Sequence, residues 1–473
     1  LKVMSSVPAS TVIGLQGRQR HLAVFTILVG IALSVLDTTT IALGLPTMTR
    51  ELGVSADQAV WIINAFQLAV LVALLPVAHW GGRVSFRRVY LGGVALWGVA
   101  SAVACVADSL PVLIAARVAQ GLGAAGLMGV NMALVRLVWP PALLGKGVAL
   151  NSVVVSIATV SGPLLAAMVL SVASWRWLFA LNIPACALLL LLGWRTLPAN
   201  QPAAGAEPLA WRDVLLNGAM FVLVFLAAES FARAIKSPAG LAQGLAQGML
   251  LLALGLAVGV VHVRRQWRQT EALLPLDLLR IPLFRLSMMT SVGSFAAQTV
   301  AYVVLPFLLL EAWHLSAPQA GLLMSCWPAG TFVAASLASR WIGRYHNGLL
   351  GALGLGWMCL GLAFLAYAAW AGQQTHAVVL ALLLCGLGFG LFQSPNNHTI
   401  ITAAPVHRAG ASGGMLATAR LVGQSLGATL VAVVFAAHGQ TSGQALGVAL
   451  AVAAAMAAAA AAASFRRTHY PMP

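Results

Sequence analysis

The sequence predicts an all-α integral membrane protein of fourteen spanning helices, set out as six, two and six, and three observations carry that reading. Hydrophobic residues make up 60% of the 473 and charged residues only 8%, where a soluble domain carries about a quarter. Fourteen apolar runs each approach the roughly 20 residues that a helix needs to cross a bilayer. If every run is a span, twenty of the 26 Lys and Arg fall on the side of the chain ends; Arg50, Arg176, Arg233 and Lys236 fall on the other, and Arg117 and Arg420 stay inside the membrane. Such a bias orients a protein with its basic side in the cytoplasm. Both ends are therefore expected there, in a bacterial cytoplasmic (inner) membrane.

In order, the chain divides into a polar cytoplasmic tail (1–20), a six-helix bundle (21–193), a Pro- and Ala-rich linker (194–212) and an inserted helix pair (213–263). A basic linker (264–285), a second six-helix bundle (286–465) and a short cytoplasmic tail (466–473) complete it. The spans of the first bundle lie near 21–45, 58–78, 89–107, 112–138, 147–171 and 177–193, and the inserted pair near 214–232 and 245–263. Those of the second lie near 286–310, 320–341, 349–370, 377–402, 411–438 and 445–465. The last is nearly pure Ala from Ala453 to Ala463, weakly hydrophobic but strongly helical. Arg83-Val84-Ser85-Phe86-Arg87 after the second span is echoed by Arg340-Trp341-Ile342-Gly343-Arg344 after the tenth. A repeat of this kind builds two pseudo-symmetric halves in many transporters.

Several function classes are excluded. The net charge of +16 reflects topology rather than nucleic-acid binding, for no binding motif accompanies it. The five cysteines stand singly in apolar runs and read as small core hydrophobes, not as a metal site or disulfide framework. The His residues are dispersed. Gly386-Leu387-Gly388-Phe389-Gly390 lies in an apolar helix with no strand before it, so it is packing rather than a nucleotide loop. Trp139, Trp175, Trp194, Trp211, Trp313 and Trp370 sit near span ends, as interfacial anchors do. The protein is not read as an enzyme; its energy would come from a gradient, with no cofactor or metal.

The stretch Leu36-Asp37-Thr38-Thr39-Thr40 places a carboxylate inside the first span. An acid there costs about 2.5–3.5 kcal/mol on insertion scales, and by default it marks an ion or substrate path. In the fourth span Arg117, Gln120, Gly121 and Ala124 share one helical face, and Arg420, Gly423, Gln424 and Gly427 repeat the arrangement in the thirteenth. Further polar stripes occur in the second span (Asn64, Gln67), the fifth (Ser152, Ser156, Thr159, ending at Gly162-Pro163) and the ninth (Ser291, Ser294, Gln298, Tyr302). One stripe alone is more often helix-to-helix glue; recurrence in both halves points to a central cavity.

In this order and spacing the residues resemble the fourteen-span drug:proton antiporter family of the major facilitator superfamily, the multidrug and quaternary-ammonium efflux type, over nearly the whole chain. Leu36-Asp37 to Leu45-Pro46 is similar to its first-span motif, and Arg117-Val118-Ala119-Gln120-Gly121 to its fourth-span basic motif, linked there to proton transfer. Ser161-Gly162-Pro163, then Trp175-Arg176-Trp177 and Asn182-Ile183-Pro184, resemble its antiporter motif and the start of the sixth span. Leu273 to Arg280 before the ninth span and Thr418-Ala419-Arg420 in the thirteenth fit as well. The loop after the second span departs from the family signature: Ala78, Gly82, Ser85 and Phe86 stand where Gly, Asp, Gly and Arg are usual, leaving Arg83, Arg87 and Arg88. Ala166-Ala167 likewise replace the glycines usual after Gly-Pro.

The resemblance implies the major facilitator fold and proton-coupled export of amphipathic or cationic drugs by alternating access. Asp37 would exchange proton for substrate, tuned by Arg117, with Glu229 in the seventh span a second candidate. Asn64, Gln67, Gln120, Ser156, Thr159, Ser294, Gln298, Tyr302, Arg420 and Gln424 would line the cavity, and Arg83, Arg87, Arg88, Gly162 and Pro163 would govern conformation. The expected partners are small amphipathic molecules, protons and the lipid bilayer, with no nucleic acid; the sequence points to a monomer and names no periplasmic adaptor. A dedicated exporter of one endogenous metabolite or lipid, or a non-transporting membrane receptor, would be the alternatives.

Overall fold

The computed structural model describes residues 15–140, 143–199, 211–236, 241–267, 276–372, 375–404, 409–438 and 442–470. Most of the first tail, the heart of the Pro- and Ala-rich linker and residues 268–275 of the basic linker lie outside them. Among the described residues, fourteen helices are long and apolar enough to span: α1 (Gly17–Leu52), α2 (Ala56–Val84), α3 (Phe86–Cys105), α4 (Leu110–Val138), α5 (Val153–Val172), α6 (Arg176–Thr196), α7 (Trp211–Phe231) and α8 (Leu241–Gln266) in the first part. The others are α9 (Pro282–Ala312), α10 (Ala317–Trp341), α11 (Asn347–Ala371), α12 (Ala377–Ala403), α13 (Ser412–His438) and α14 (Gly443–His469). Local chemistry sets several boundaries. Gly53, in the left-handed region at φ 63°, ends α1, and capping boxes, Ser55 with Gln58 and Ser316 with Gln319, open α2 and α10. Pro46, Pro76, Pro163, Pro306, Pro328 and Pro395 sit inside helices, as membrane helices tolerate. Beyond Pro306 the end of α9 widens into a π-helical turn, Phe307–Ala312.

The packing is pseudo-symmetric. α1 packs on α5 and α6, α4 on α2 and α3, and α3 on α6; eight positions on, α9 packs on α13 and α14, α12 on α10 and α11, and α11 on α14. The halves meet where α5 touches α10 and α2 touches α13, two contacts exchanged by the same shift. α7 and α8 pair with each other, and α7 leans on α2 and α13. Because α13 corresponds to α5, the Arg420 face is not the symmetry mate of the Arg117 face on α4, although the two sequences look alike.

At the end away from the chain termini, one apolar core runs through both halves: Leu45, Met48 and Trp175 belong to the same cluster as Leu305, Phe307 and Trp313. Arg50 on α1 meets Glu311 on α9 at 3.3 Å. A Cβ on Gly321 of α10 would overlap Ala167 of α5 and approach the Pro163 carbonyl to 2.8 Å. The smallness expected of glycines at 166 and 167 is supplied from the opposite helix. At the terminus-bearing end the cores divide, one around Ala23, Val89 and Val138, another around Leu278, Phe284 and Ile400. The bundle is thus sealed at the far end, while towards the termini two smaller cores remain, bridged by Leu421 of α13 in the first and Leu75 of α2 against the second.

Two placements differ from the sequence reading. Trp175 is not an interfacial anchor: it is fully buried, and its Nε1 donates to Glu51 at 2.7 Å. Arg467, assigned to the last tail, is fully buried in the closing turn of α14.

Candidate functional site

Asp37 and Arg117 form a salt bridge with 2.7 Å between Oδ2 and the guanidinium, and neither side chain is more than 1% exposed. Surrounding groups hold both members of the pair. Asn182 on α6 donates to the other Asp37 oxygen at 2.8 Å, and Arg117 Nε donates to the Ile62 carbonyl of α2 at 3.0 Å. Arg117 also donates to Gln120 Oε1 at 2.8 Å, whose amide donates to Ser101 of α3 at 2.8 Å. The guanidinium lies 4.2 Å from the centre of the Phe66 ring, within cation–π range. One pair therefore ties α1, α2, α3, α4 and α6 together. Burying two charges costs several kcal/mol per ion, offset only by geometry of this quality, and replacement by apolar residues is often stabilising. A pair retained under those terms in a membrane core is a functional centre by default.

Between the halves lies a cavity of about 250 Å3. Of the predicted lining residues it takes Gln67, Thr159, Gln298, Tyr302, Arg420 and Gln424, with Pro163 from the conformational set. Asn64 and Ser294 are buried beside it; Ser294 donates to the Ser291 carbonyl at 3.0 Å. Gln120 belongs to the ion-pair network instead. The Ser152 and Ser156 side chains lie outside the described set. Gly162 is a close-approach point: a Cβ there would overlap Thr39 Oγ1 of α1. Arg83 Nε is buried without a hydrogen-bond partner, Arg87 donates to the Trp194 carbonyl, and Arg88 is exposed. Glu229 is half-buried on α7, and no α7 or α8 residue reaches the cavity.

Asp37 itself does not line the cavity. Its neighbours Ser34 and Thr38 do, so the acid points from the same helix into the first bundle. Phe66 stands between, lining the cavity while packing against Arg117. One group shared by proton and substrate, the arrangement expected from the sequence, is therefore not what this geometry offers.

Sequence reasoning missed much of the lining, including Thr331 and Phe332 of α10 and Phe389 and Gln393 of α12; Gln393 opens the polar run Gln393-Ser394-Pro395-Asn396-Asn397 inside its span, a signal that could have found it. It also missed the Arg467 network. Arg467 donates to Ser287 Oγ at 3.0 Å, Asn396 Oδ1 at 2.6 Å and Ser464 Oγ at 2.5 Å. Asn396 in turn donates to Ser291 at 2.7 Å, and Ser464 to the Gly348 carbonyl at 2.9 Å. This network joins α9, α11, α12 and α14.

Two pseudo-symmetric six-helix bundles around a central cavity define a secondary transporter rather than an enzyme. The profile of the Major Facilitator Superfamily matches residues 27–428, and the chain belongs to that family. It is 43% identical over 419 residues to an uncharacterized transporter, YebQ, of Escherichia coli K12, covering 89% of this chain and 90% of that one. It is 25% identical to the riboflavin transporter RibZ of Clostridioides difficile (87% of each chain). It is 27% identical to the tetracenomycin C resistance and export protein of Streptomyces glaucescens (90% of this chain, 77% of that one). Among solved structures, an inward-facing, unoccupied bacterial homologue of the human lysosomal transporter Spinster aligns with a TM-score of 0.68 at 13% identity, over 96% of this chain and 98% of that one. That likeness concerns the fold.

Proposed function

We propose that this transporter is a proton-coupled antiporter exporting amphipathic antimicrobial compounds by alternating access. It would sit in the bacterial cytoplasmic membrane with both ends in the cytoplasm, act as a monomer and need no cofactor beyond the proton gradient. The single observation that carries the reading is the sealed Asp37–Arg117 pair, separated from the cavity by one aromatic ring. A protonated Asp37 no longer balances Arg117, so the hold of the guanidinium on the Ile62 carbonyl and its stacking on Phe66 change with it. Ile62 and Phe66 lie one turn apart on α2, and α2 faces the second half through α13. Proton and cargo then act on one element from opposite sides of Phe66 and need not share a group. Two differential interactions with one moving element are what coupling requires.

The energy suffices: each charge crossing the membrane is worth about 2.3 kcal/mol per 100 mV, about a fiftyfold gradient. The export function printed for the tetracenomycin relative supports the direction of transport. The printed name of the riboflavin relative supports an alternative, a transporter dedicated to one metabolite, which would saturate with a single compound and protect against no drug.

The test uses proteoliposomes with an internal pH dye and a panel of amphipathic fluorophores. Cargo-dependent proton movement is expected in the wild type and is expected to vanish in Asp37→Asn, while exchange of cargo across equilibrated membranes persists. Undiminished proton movement in Asp37→Asn would assign the coupling to another group.

A further inference from the structure

The sequence alone suggests lipophilic cations as cargo, but the cavity has the wrong charge for them. The chain has ten Asp and Glu, and none of those among the described residues lines the cavity. Asp37 is turned into the first bundle and neutralised by Arg117, and Glu311 is held by Arg50 at the far end. The one ionised side chain in the lining is Arg420. Its Nε is buried with no hydrogen-bond partner, and among the described residues it makes no ion pair. Tyr302 Oη, also in the lining, has no partner either. Buried donors left in that condition are costly unless something completes them. The remaining walls include Phe66, Phe295, Phe332 and Phe389, surfaces that suit a flat aromatic ring. Arg467, a fully buried cation of the second half, is satisfied only by neutral oxygens, so it adds to the positive field from that side.

We propose that the cavity selects planar aromatic molecules bearing a negative charge, with Arg420 as the counter-ion and Tyr302 as a second donor. The proposal rests on the cavity being the cargo site of the exporter described above. A guanidinium meets a carboxylate, sulfonate or phenolate with charge-assisted hydrogen bonds, whereas a cationic drug would sit beside an uncompensated positive charge in a low-dielectric space. Charge movement follows from this. Export of one monoanion against import of one proton carries two positive charges inward per cycle, so transport is electrogenic; export of a monovalent cation at the same ratio carries none.

Two dyes built on one planar xanthene scaffold make the test: fluorescein, anionic at pH 8, and rhodamine 6G, cationic. Binding to the purified full-length protein is read by fluorescence anisotropy, which involves no proton step. The wild type is expected to bind fluorescein at least tenfold more tightly than rhodamine 6G. Arg420→Gln should abolish that preference and Arg420→Lys should keep most of it. Gln424→Glu, which sets a carboxylate one turn from Arg420, should shift the preference at least tenfold towards rhodamine 6G and gives an answer even if the Arg420 variants fail to fold. Tighter rhodamine binding by the wild type, or a ratio unmoved by both Arg420→Gln and Gln424→Glu, overturns the proposal. If fluorescein is preferred but Asp37→Asn still moves protons, the coupling assignment fails while the cargo assignment stands; the converse result separates them the other way.

Discussion

The two six-helix halves share one scheme of helix pairing but handle buried charge differently. In the first, the cation Arg117 faces an anion, and the pair lies towards the far end, close to where α2, α4 and α6 begin and α3 finishes. In the second, Arg467 and Arg420 have no acid beside them among the described residues; Arg467 lies at the terminus-bearing end and Arg420 at the cavity. Both polar networks nonetheless join equivalent helices, α1, α3, α4 and α6 in one half and α9, α11, α12 and α14 in the other. A carboxylate opposite a guanidinium can be switched by one proton. A guanidinium held by hydroxyl and amide oxygens cannot, since its own proton is not released in the working range. On the proposed coupling, proton exchange falls to the first half, and the second supplies a fixed positive field.

The largest effect should come from cutting the paired cation. Arg117→Ala leaves Asp37 buried without its counter-charge, and breaking such a pair costs about 3–5 kcal/mol unless the carboxyl takes up a proton. Transport of every cargo should fall at least a hundredfold in proteoliposomes, with a lowered melting temperature that recovers as the pH is reduced. The sign follows from linkage: a carboxyl that has lost its cation is accommodated better when protonated, so the variant gains stability as protons are added. Wild-type transport rates by a well-folded Arg117→Ala protein would end the division of labour between the halves.

The unpaired cation of the second half should behave differently. Arg467→Ala removes hydrogen bonds to Ser287, Asn396 and Ser464 and leaves those oxygens without the charge they face, at a cost of about 1.5–3 kcal/mol for a charged donor. The expected result is a lower melting temperature with little dependence on pH and intact proton coupling per cargo molecule exported. A change in that ratio would move Arg467 from a supporting role into the coupling machinery.

Much of this contrast was legible in the sequence, and the rest was hidden for definable reasons. Asp37 and Arg117 stand out because a charge in an apolar run is expensive wherever its partner is. Their pairing with Asn182 was not visible, although Asn182-Ile183-Pro184 stood out as a motif, because a contact across 145 positions leaves no local period. Arg466-Arg467 follows a run of alanine and looks like the polar end of a span; only the packing of the following turn against α9 and α12 buries Arg467. The likeness between Arg117-Val118-Ala119-Gln120-Gly121 and the Arg420, Gly423, Gln424 face looked like one arrangement repeated in the two halves. The helix pairings show α13 to be the counterpart of α5, so similar residue patterns serve unlike sites. Of the α10 and α12 walls, Thr331, Phe332 and Phe389 were opaque because Phe and a single Thr in an apolar helix are what packing alone would produce, whereas Gln393 stands in a polar run around Pro395 and was legible.

The smallest effect is expected outside both halves. Glu229 lies near the outer end of α7, and on sequence it competes with Asp37 for the proton. The helix pair touches the bundles through α7 against α2 and α13, and contributes nothing to the cavity wall. The scheme of main pairings is complete without it, since α1 on α5 and α6, α4 on α2 and α3, and α3 on α6 all have their mates in the second half. A charge on that pair can act on transport only by altering how α7 rests on α2 and α13. Glu229→Gln keeps the shape and the hydrogen-bonding oxygen of the side chain, so that packing should survive. Rates and proton-to-cargo ratios are expected to stay within about twofold of the wild type across the dye panel, in line with the small effect of most substitutions away from a core or a site. A loss of transport for every cargo would place a proton path along α7 and make the inserted pair part of the machinery.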